Sequence, residues 1–255
     1  MSTSERFPNG IANSTDMVGR HLMDHPSTSL TFDADEELWL GRGPQSPSSI
    51  SALRDGPFRA ERSSYRLDFT NISRVDSATQ RLLMEGVYGP EFERRLRYSA
   101  AHEMSVKTVL EVLPLPENRI ALSDRKDALG LPRPQAHYAI DAYTRGGAQD
   151  AKQHFTRIAE LMGGSNLRFT ADDFFANNQH ICGTVSMGSD PAVSVCDGWG
   201  RTHDHENLFL VGTGVLPTAG TCNSTLTAVA VALRSVDAML PDPVMARQPA
   251  AAADA

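Results

Sequence analysis

Cysteine is scarce in this 255-residue chain: Cys182, Cys196 and Cys222 are the whole complement. An odd count without close pairing argues against a disulfide framework. No C-x-x-C occurs, so a zinc or iron–sulfur site built from these thiols alone is not expected, and the three read as small buried residues of the C-terminal region. Basic charge is in deficit too. Twenty-four Lys and Arg face 31 Asp and Glu, a formal charge of −7, and no Lys/Arg-rich run exists to carry a nucleic-acid footprint. Long apolar runs are absent: none approaches the ~18–20 residues of a membrane span. The opening MSTSERFPNG lacks the charged start and apolar centre of a secretion signal, so the expectation is a soluble, acidic, folded protein with no export signal of its own. Neither G-x-G-x-x-G nor G-x-x-x-x-G-K-[ST] occurs. Gly41-Arg42-Gly43 and Gly212-Thr213-Gly214 each lack the third glycine, so the usual cradle for a dinucleotide pyrophosphate is missing.

What remains is globular in composition, 40% hydrophobic and 22% charged, with enough length for one large domain or two modest ones. Four stretches are expected. Residues 1–26 are turn-rich and leave as extended chain, because Pro26 biases His25 away from helix. Residues 27–175 alternate β-type runs (27–32, 48–53, 65–70, 106–112, 119–122 and 137–140) with helices at 89–104 and 149–162. Phe92, Leu96 and Ala100 line the first helix; Ala151, Phe155, Ile158 and Met162 line the second, which stops at Gly163-Gly164. Strands in runs, without strict βαβ alternation, predict an α+β fold with an antiparallel sheet and helices on one face. Residues 176–240 contain a short apolar strand at 207–211 and a helix at 224–240. Its Leu226, Val229, Leu233, Val236 and Leu240, spaced 3, 4, 3, 4, read as core packing. Residues 241–255, rich in Pro and Ala, read as a flexible tail.

Two residues stand out chemically. His180, within Asn178-Gln179-His180-Ile181-Cys182-Gly183-Thr184, reads either as a satisfied core histidine or as a proton acceptor near neutral pH. Asn223 reads as the N-cap of the last helix, or as a polar group beside a helix N-terminus that stabilises developing negative charge; the two roles are compatible. His203-Asp204-His205 with Cys196 or Asp197 offers metal-ligand types, but an H-x-H in a loop is more often a turn, and His21, Asp24 and His25 are read with the same reserve. No metal site is assigned.

Three ordered segments carry a resemblance: Val18-Gly19-Arg20-His21-Leu22-Met23-Asp24-His25-Pro26; His180…Gly183-Thr184…Met187-Gly188…Asp190-Pro191; and Asn207-Leu208-Phe209…Pro217-Thr218…Asn223-Ser224-Thr225-Leu226-Thr227. In order and spacing they resemble the glucose–methanol–choline (GMC) oxidoreductases, over residues from about 7 to 240. Leu38-Trp39-Leu40-Gly41-Arg42-Gly43-Pro44-Gln45, Arg54-Asp55-Gly56-Pro57-Phe58-Arg59-Ala60 and Leu113-Pro114-Leu115-Pro116-Glu117-Asn118-Arg119 are similar to one branch, the catalytic subunits of bacterial FAD-dependent glucose, gluconate, fructose and sorbitol dehydrogenases. The resemblance implies oxidation of a CH–OH group of a sugar, sugar acid or polyol, with hydride passing to flavin N5. His180 aligns with the family's base and Asn223 with its second polar residue; Asn cannot take the proton, so the roles separate. It further implies that Gly212, Thr213, Asn223, Ser224 and Thr225 touch FAD.

The resemblance also implies what is missing. Family members carry, ahead of the matched region, an N-terminal half with G-x-G-x-x-G and most of the FAD-binding sheet, and some carry iron–sulfur cysteines there to which Cys182, Cys196 and Cys222 do not correspond. On that reading residues 1–26 end an FAD-binding segment, 27–175 form the substrate-binding domain, and 176–240 complete the FAD site as part of an incomplete FAD-binding domain. The chain would be the C-terminal catalytic portion of the enzyme, inactive alone, with residues 1–26 and 176–240 leaving an exposed apolar face. The alternatives are one chain of a split flavoenzyme or a non-catalytic relic. A cytochrome c and a small export subunit, at the periplasmic side of a bacterial inner membrane, are the partners and location the branch implies.

Overall fold

The computed structural model describes residues 2–46 and 48–240; the tail expected at 241–255 lies outside them. In chain order the elements are β1 (Pro26–Ser27), β2 (Ser29–Asp33), β3 (Ser48–Ile50), β4 (Tyr65–Thr70), α1 (Val75–Met84), α2 (Gly89–His102), β5 (Glu103–Leu110), β6 (Arg119–Lys126), β7 (Pro132–His137), α3 (Ala142–Leu161), β8 (Ser165–Phe169), β9 (Ala176–Asn177) and α4 (Thr225–Met239). All pairings between these strands are antiparallel, and the fold is α+β. The described chain divides into two units. One holds residues up to Asp24 with Val112–Ile140 and the chain from Gln179 onward; the other holds His25–Glu111 and Asp141–Asn178.

The second unit is built on a five-stranded sheet in the order β3-β4-β5-β2-β8. Alternation along the strands selects one face. Leu30 and Phe32, Tyr65 and Leu67, and Met104, Val106 and Leu110 all enter a single core with Ala148, Ala151, Phe155 and Ala159 of α3. The start of α3 lies seven residues before the expected one. Asp141 caps it, its Oδ1 accepting the Thr144 N–H at 2.7 Å, and Gly146-Gly147 lie inside the helix. Gly147 is required there: a Cβ would stand 2.1 Å from Ser63 Oγ. Unforeseen α1 buries Ala78 and Leu82, one turn apart, and β8 was also unforeseen. Both are short, and neither has a run of β-branched residues or a long apolar stripe.

The first unit has little regular structure. Its β6–β7 hairpin contains the strand expected at 119–122 and puts its partner at 132–137 rather than at 137–140. β7 tolerates Pro132 and Pro134 because it lies at an edge of a two-stranded ladder, where unpaired N–H groups are not needed. The strand expected at 207–211 is reduced to single bridges such as Arg201–Phe209. Helix α4 turns its small and polar face inward, with Ala228, Ser235 and Asp237 buried. The apolar stripe expected to be core faces outward instead: Leu226 is 82% exposed and Leu233 63%. Nothing among the described residues covers it, so helical periodicity there marks a surface rather than a core.

Candidate active site

His180 follows Gln179, whose φ of 58° places it in the left-handed region and turns the chain sharply. The His180 backbone N–H donates to Asp24 Oδ1 at 2.8 Å. Two residues later the chain is clamped: Met23 and Cys182 exchange backbone hydrogen bonds, each 2.9 Å. Gly183 donates to the Thr213 carbonyl at 3.2 Å, Val185 to that of Gly214 at 3.1 Å and Met187 to that of Val215 at 2.8 Å. Gly183 admits no side chain: its φ is +82° and a Cβ would lie 1.8 Å from the His21 carbonyl oxygen. Beneath this lattice Met23, Val112, Cys182, Leu216 and Ala219 form a small core with Val231 of α4 against it. The ladder from residue 183 to residue 215 therefore sets the loop that leads into α4.

That loop delivers Asn223. Its Nδ2 lies 2.9 Å from His180 Nε2, across 43 residues of sequence. With the amide nitrogen donating, Nε2 is the unprotonated ring nitrogen and holds the lone pair a proton takes. Asn223 is exposed and His180 half-buried, so both are open to an arriving molecule. The N-cap position belongs to Ser224, not Asn223, and Ser224 makes no side-chain cap hydrogen bond. The carboxamide nitrogen is turned to the histidine; a side-chain amide also carries an oxygen, so this contact and a part in the helix start are compatible.

The other expected contact residues fall around this pair in the chain. Gly212, at φ 97°, opens a 3-10 turn over Thr213–Val215, and no atom lies within 4 Å of where its Cβ would stand. Ser224 is buried and Thr225 exposed at the start of α4. Sequence reasoning weighed Asp24 only as a metal ligand; its part here, holding a backbone N–H, leaves no spacing signature.

The remaining polar clusters are occupied otherwise. His203 Nε2 meets Ser194 Oγ at 2.9 Å, Asp204 accepts from Ser14 N and Oγ, and His205 lies edge-on to Phe7. Among the described residues no three His, Cys, Asp or Glu side chains gather as a metal site requires. Burial pushes the Cys182 and Cys196 thiols up to about 11, which keeps them protonated and poorly nucleophilic near neutral pH. Burial, then the Arg20 charge, pushes the His21 imidazole below its ordinary range.

Comparison with known proteins now bears on this site. Residues 114–232, which include His180 and Asn223, match the sequence model of the GMC oxidoreductases. The chain belongs to the GMC oxidoreductase family. It is 42% identical over 243 residues to the fructose dehydrogenase large subunit of Gluconobacter japonicus, covering 95% of this chain and 44% of that protein. It is 29% identical to the paromamine 6'-oxidase of Streptomyces fradiae over 94% of this chain and 42% of that one. Among solved structures, pyridoxine 4-oxidase from Mesorbium loti superposes with a TM-score of 0.55 at 19% identity, over 87% of this chain and 43% of that chain. A formate oxidase variant of Aspergillus oryzae RIB40, a structure concerned with FAD modification, gives 0.57 at 15%, over 88% and 47%. At such identities the structures speak for the fold alone. The chain spans less than half the length of these relatives. GMC family members are oxidoreductases acting on CH–OH groups.

Proposed function

We propose that this chain is the C-terminal catalytic portion of an FAD-dependent oxidoreductase acting on a CH–OH group of a sugar, sugar acid or polyol. The observation that carries this reading is the 2.9 Å approach of Asn223 Nδ2 to His180 Nε2. A substrate hydroxyl that displaces this contact donates its proton to His180 Nε2, while Asn223 Nδ2 donates to the same oxygen and holds it in register. The amide cannot accept the proton, so its direction of travel is set. Asp24, through the His180 backbone N–H, keeps the ring from drifting away from the amide.

The residues present fit the ring end of a flavin. The backbone is open at Gly212, and Ser224 at the start of α4 makes no side-chain cap hydrogen bond, so that end of the helix presents N–H groups and positive partial charge. Gly212, Thr213, Asn223, Ser224 and Thr225 would hold that end. No G-x-G-x-x-G is present for the pyrophosphate, so the phosphate end of FAD requires residues beyond these. When bound, FAD supplies a two-electron acceptor for the carbon-bound hydrogen of the substrate. The exposed stripe on α4 is, on this reading, where the N-terminal half carried by the longer relatives seats, and the chain alone is inactive. The resemblance adds domain roles to this proposal, residues 27–175 serving the substrate and 1–26 and 176–240 the cofactor, although residues 112–140 group with the latter. A cytochrome c and a small export subunit, and a periplasmic, inner-membrane-associated setting, belong to the same proposal.

The test is kinetic, in the complete flavin-loaded polypeptide. His180→Ala lowers turnover by roughly 10²–10⁴, the range for loss of a general base. Asn223→Asp, which places a carboxylate at the amide position, also lowers turnover but leaves the melting temperature within a few degrees, since Asp serves a helix N-terminus as well as Asn does. Near-normal turnover in His180→Ala would refute the assignment.

A further inference from the structure

The second unit contains a cavity of about 600 Å³, within the range of small-molecule sites, and the catalytic proposal makes no use of it. Four guanidinium groups line it, Arg81, Arg94, Arg95 and Arg168, with Tyr98 and Ser99. They fall into two kinds. Arg81 and Arg168 are fixed: their Nη2 atoms approach the same buried carboxylate, Glu103 Oε2, at 2.6 and 2.8 Å. Arg168 also reaches the buried Asp33 at 3.5 Å, and Arg81 Nη2 reaches Ser99 Oγ at 3.3 Å. Arg94 and Arg95 lean on acids nearer the surface: Arg94 forks onto Glu91 at 2.6 and 2.9 Å, and Arg95 reaches Glu85 at 2.7 Å. Both of these carboxylates are open to water, unlike Glu103 and Asp33 under Arg81 and Arg168, so an arriving anion can replace them.

Positive charge is in local excess, although the whole chain is acidic. Arg74 interacts with both Glu103 and Arg168, its Nε is buried without a hydrogen-bond partner, and burial with the Arg168 charge pushes its pKa down. Five arginines therefore share four carboxylates: Asp33, Glu85, Glu91 and Glu103. Guanidinium forks match carboxylate and phosphate oxygens in geometry as well as charge. A fixed pair on buried acids and a looser pair on α2 fit a ligand with more than one anionic group.

We propose that this cavity binds a small multivalent anion bearing phosphate or carboxylate groups, which Arg81 and Arg168 receive on one side and Arg94 and Arg95 clasp on the other. The experiment is calorimetric titration of the complete polypeptide with inorganic phosphate and, separately, citrate, at matched low ionic strength with chloride as the reference. Citrate is a tertiary alcohol with no carbinol hydrogen to lose, so no heat of oxidation enters the titration, and the arginine variants separate this site from any other. Saturable binding of either anion is expected, and Arg94→Glu with Arg95→Glu weakens it at least tenfold. Arg97→Glu, which alters an exposed arginine paired with Glu93 and not lining the cavity, leaves it unchanged. Phosphate binding without citrate, or the reverse, identifies which source of the anion fits; either supports the site. No binding beyond chloride, or equal weakening in the Arg97 variant, overturns the proposal. Should the double charge reversal unfold, Arg94→Gln with Arg95→Gln serves instead, read by the same loss of affinity and by loss of the anion-induced rise in melting temperature.

Discussion

The second unit closes a core of twelve buried residues from β2, β4, β5, α3 and the turn after β2, whereas the first gathers only five around Met23 and Cys182 and turns the leucines of α4 outward. The second unit is held by its own sheet–helix packing. The first is held by a lattice of backbone hydrogen bonds between loops, with a large apolar surface still to be covered. The side chains proposed to carry the chemistry, His180 and Asn223, lie in the less self-sufficient unit, where geometry is set by loop-to-loop ladders. That is how two residues far apart in sequence meet without either belonging to the sheet.

Three substitutions would break or sharpen this contrast, in decreasing order of effect. Phe155→Ala removes a side chain with no exposure from the larger core and should destabilise the second unit by about 3–5 kcal/mol, read by urea unfolding. A loss well under that would mean the core is less closed than its burial indicates. Leu233→Asp changes a residue that is 63% exposed. Within this chain alone it should shift stability by no more than about 0.5 kcal/mol. In the complete protein it should cost about 1.5–3 kcal/mol and flavin retention with it, if α4 seats against the N-terminal half. Equal effects in the two settings would remove the argument from the exposed stripe.

The smallest effect concerns pH. Asp16 accepts from Arg119 at 3.0 and 3.2 Å and from Arg20, and these hydrogen bonds lower its pKa from 3.8 to about 2. A carboxylate depressed in the folded state contributes stability above its unfolded pKa and loses it as pH falls through the folded one. The window is therefore about pH 4 down to 2. The side chain is 56% exposed, so solvent screening holds the contribution to roughly 1 kcal/mol or less. Asp16→Asn should be less stable than the parent at pH 7 and indistinguishable from it near pH 2, measured by denaturant unfolding at both.

Much of the second unit was legible in the sequence. The β-branched and aromatic run at 65–70 is β4 with the same bounds, and Ala151 and Phe155 of the expected stripe are in the core. The early turns of α3 were hidden because Gly146-Gly147 look like a break, when they are a close approach to Ser63. The first unit was less legible. Residues 207–211 have strand composition but only single bridging partners, because a strand needs a neighbour and local propensity does not supply one.

The family resemblance of ordered motifs marked His180 and Asn223 as a pair, and strands arriving in runs without βαβ alternation pointed to an antiparallel sheet, which residues 27–111 and 141–175 build. Side-chain period is a local property that survives without knowledge of neighbours. Only the tertiary structure decided that the Asn223 amide nitrogen meets the imidazole, that Asp24 holds His180 by its backbone, and that the leucines of α4 face outward. Each depends on what stands opposite a residue in space, a matter settled by packing among segments far apart in the chain.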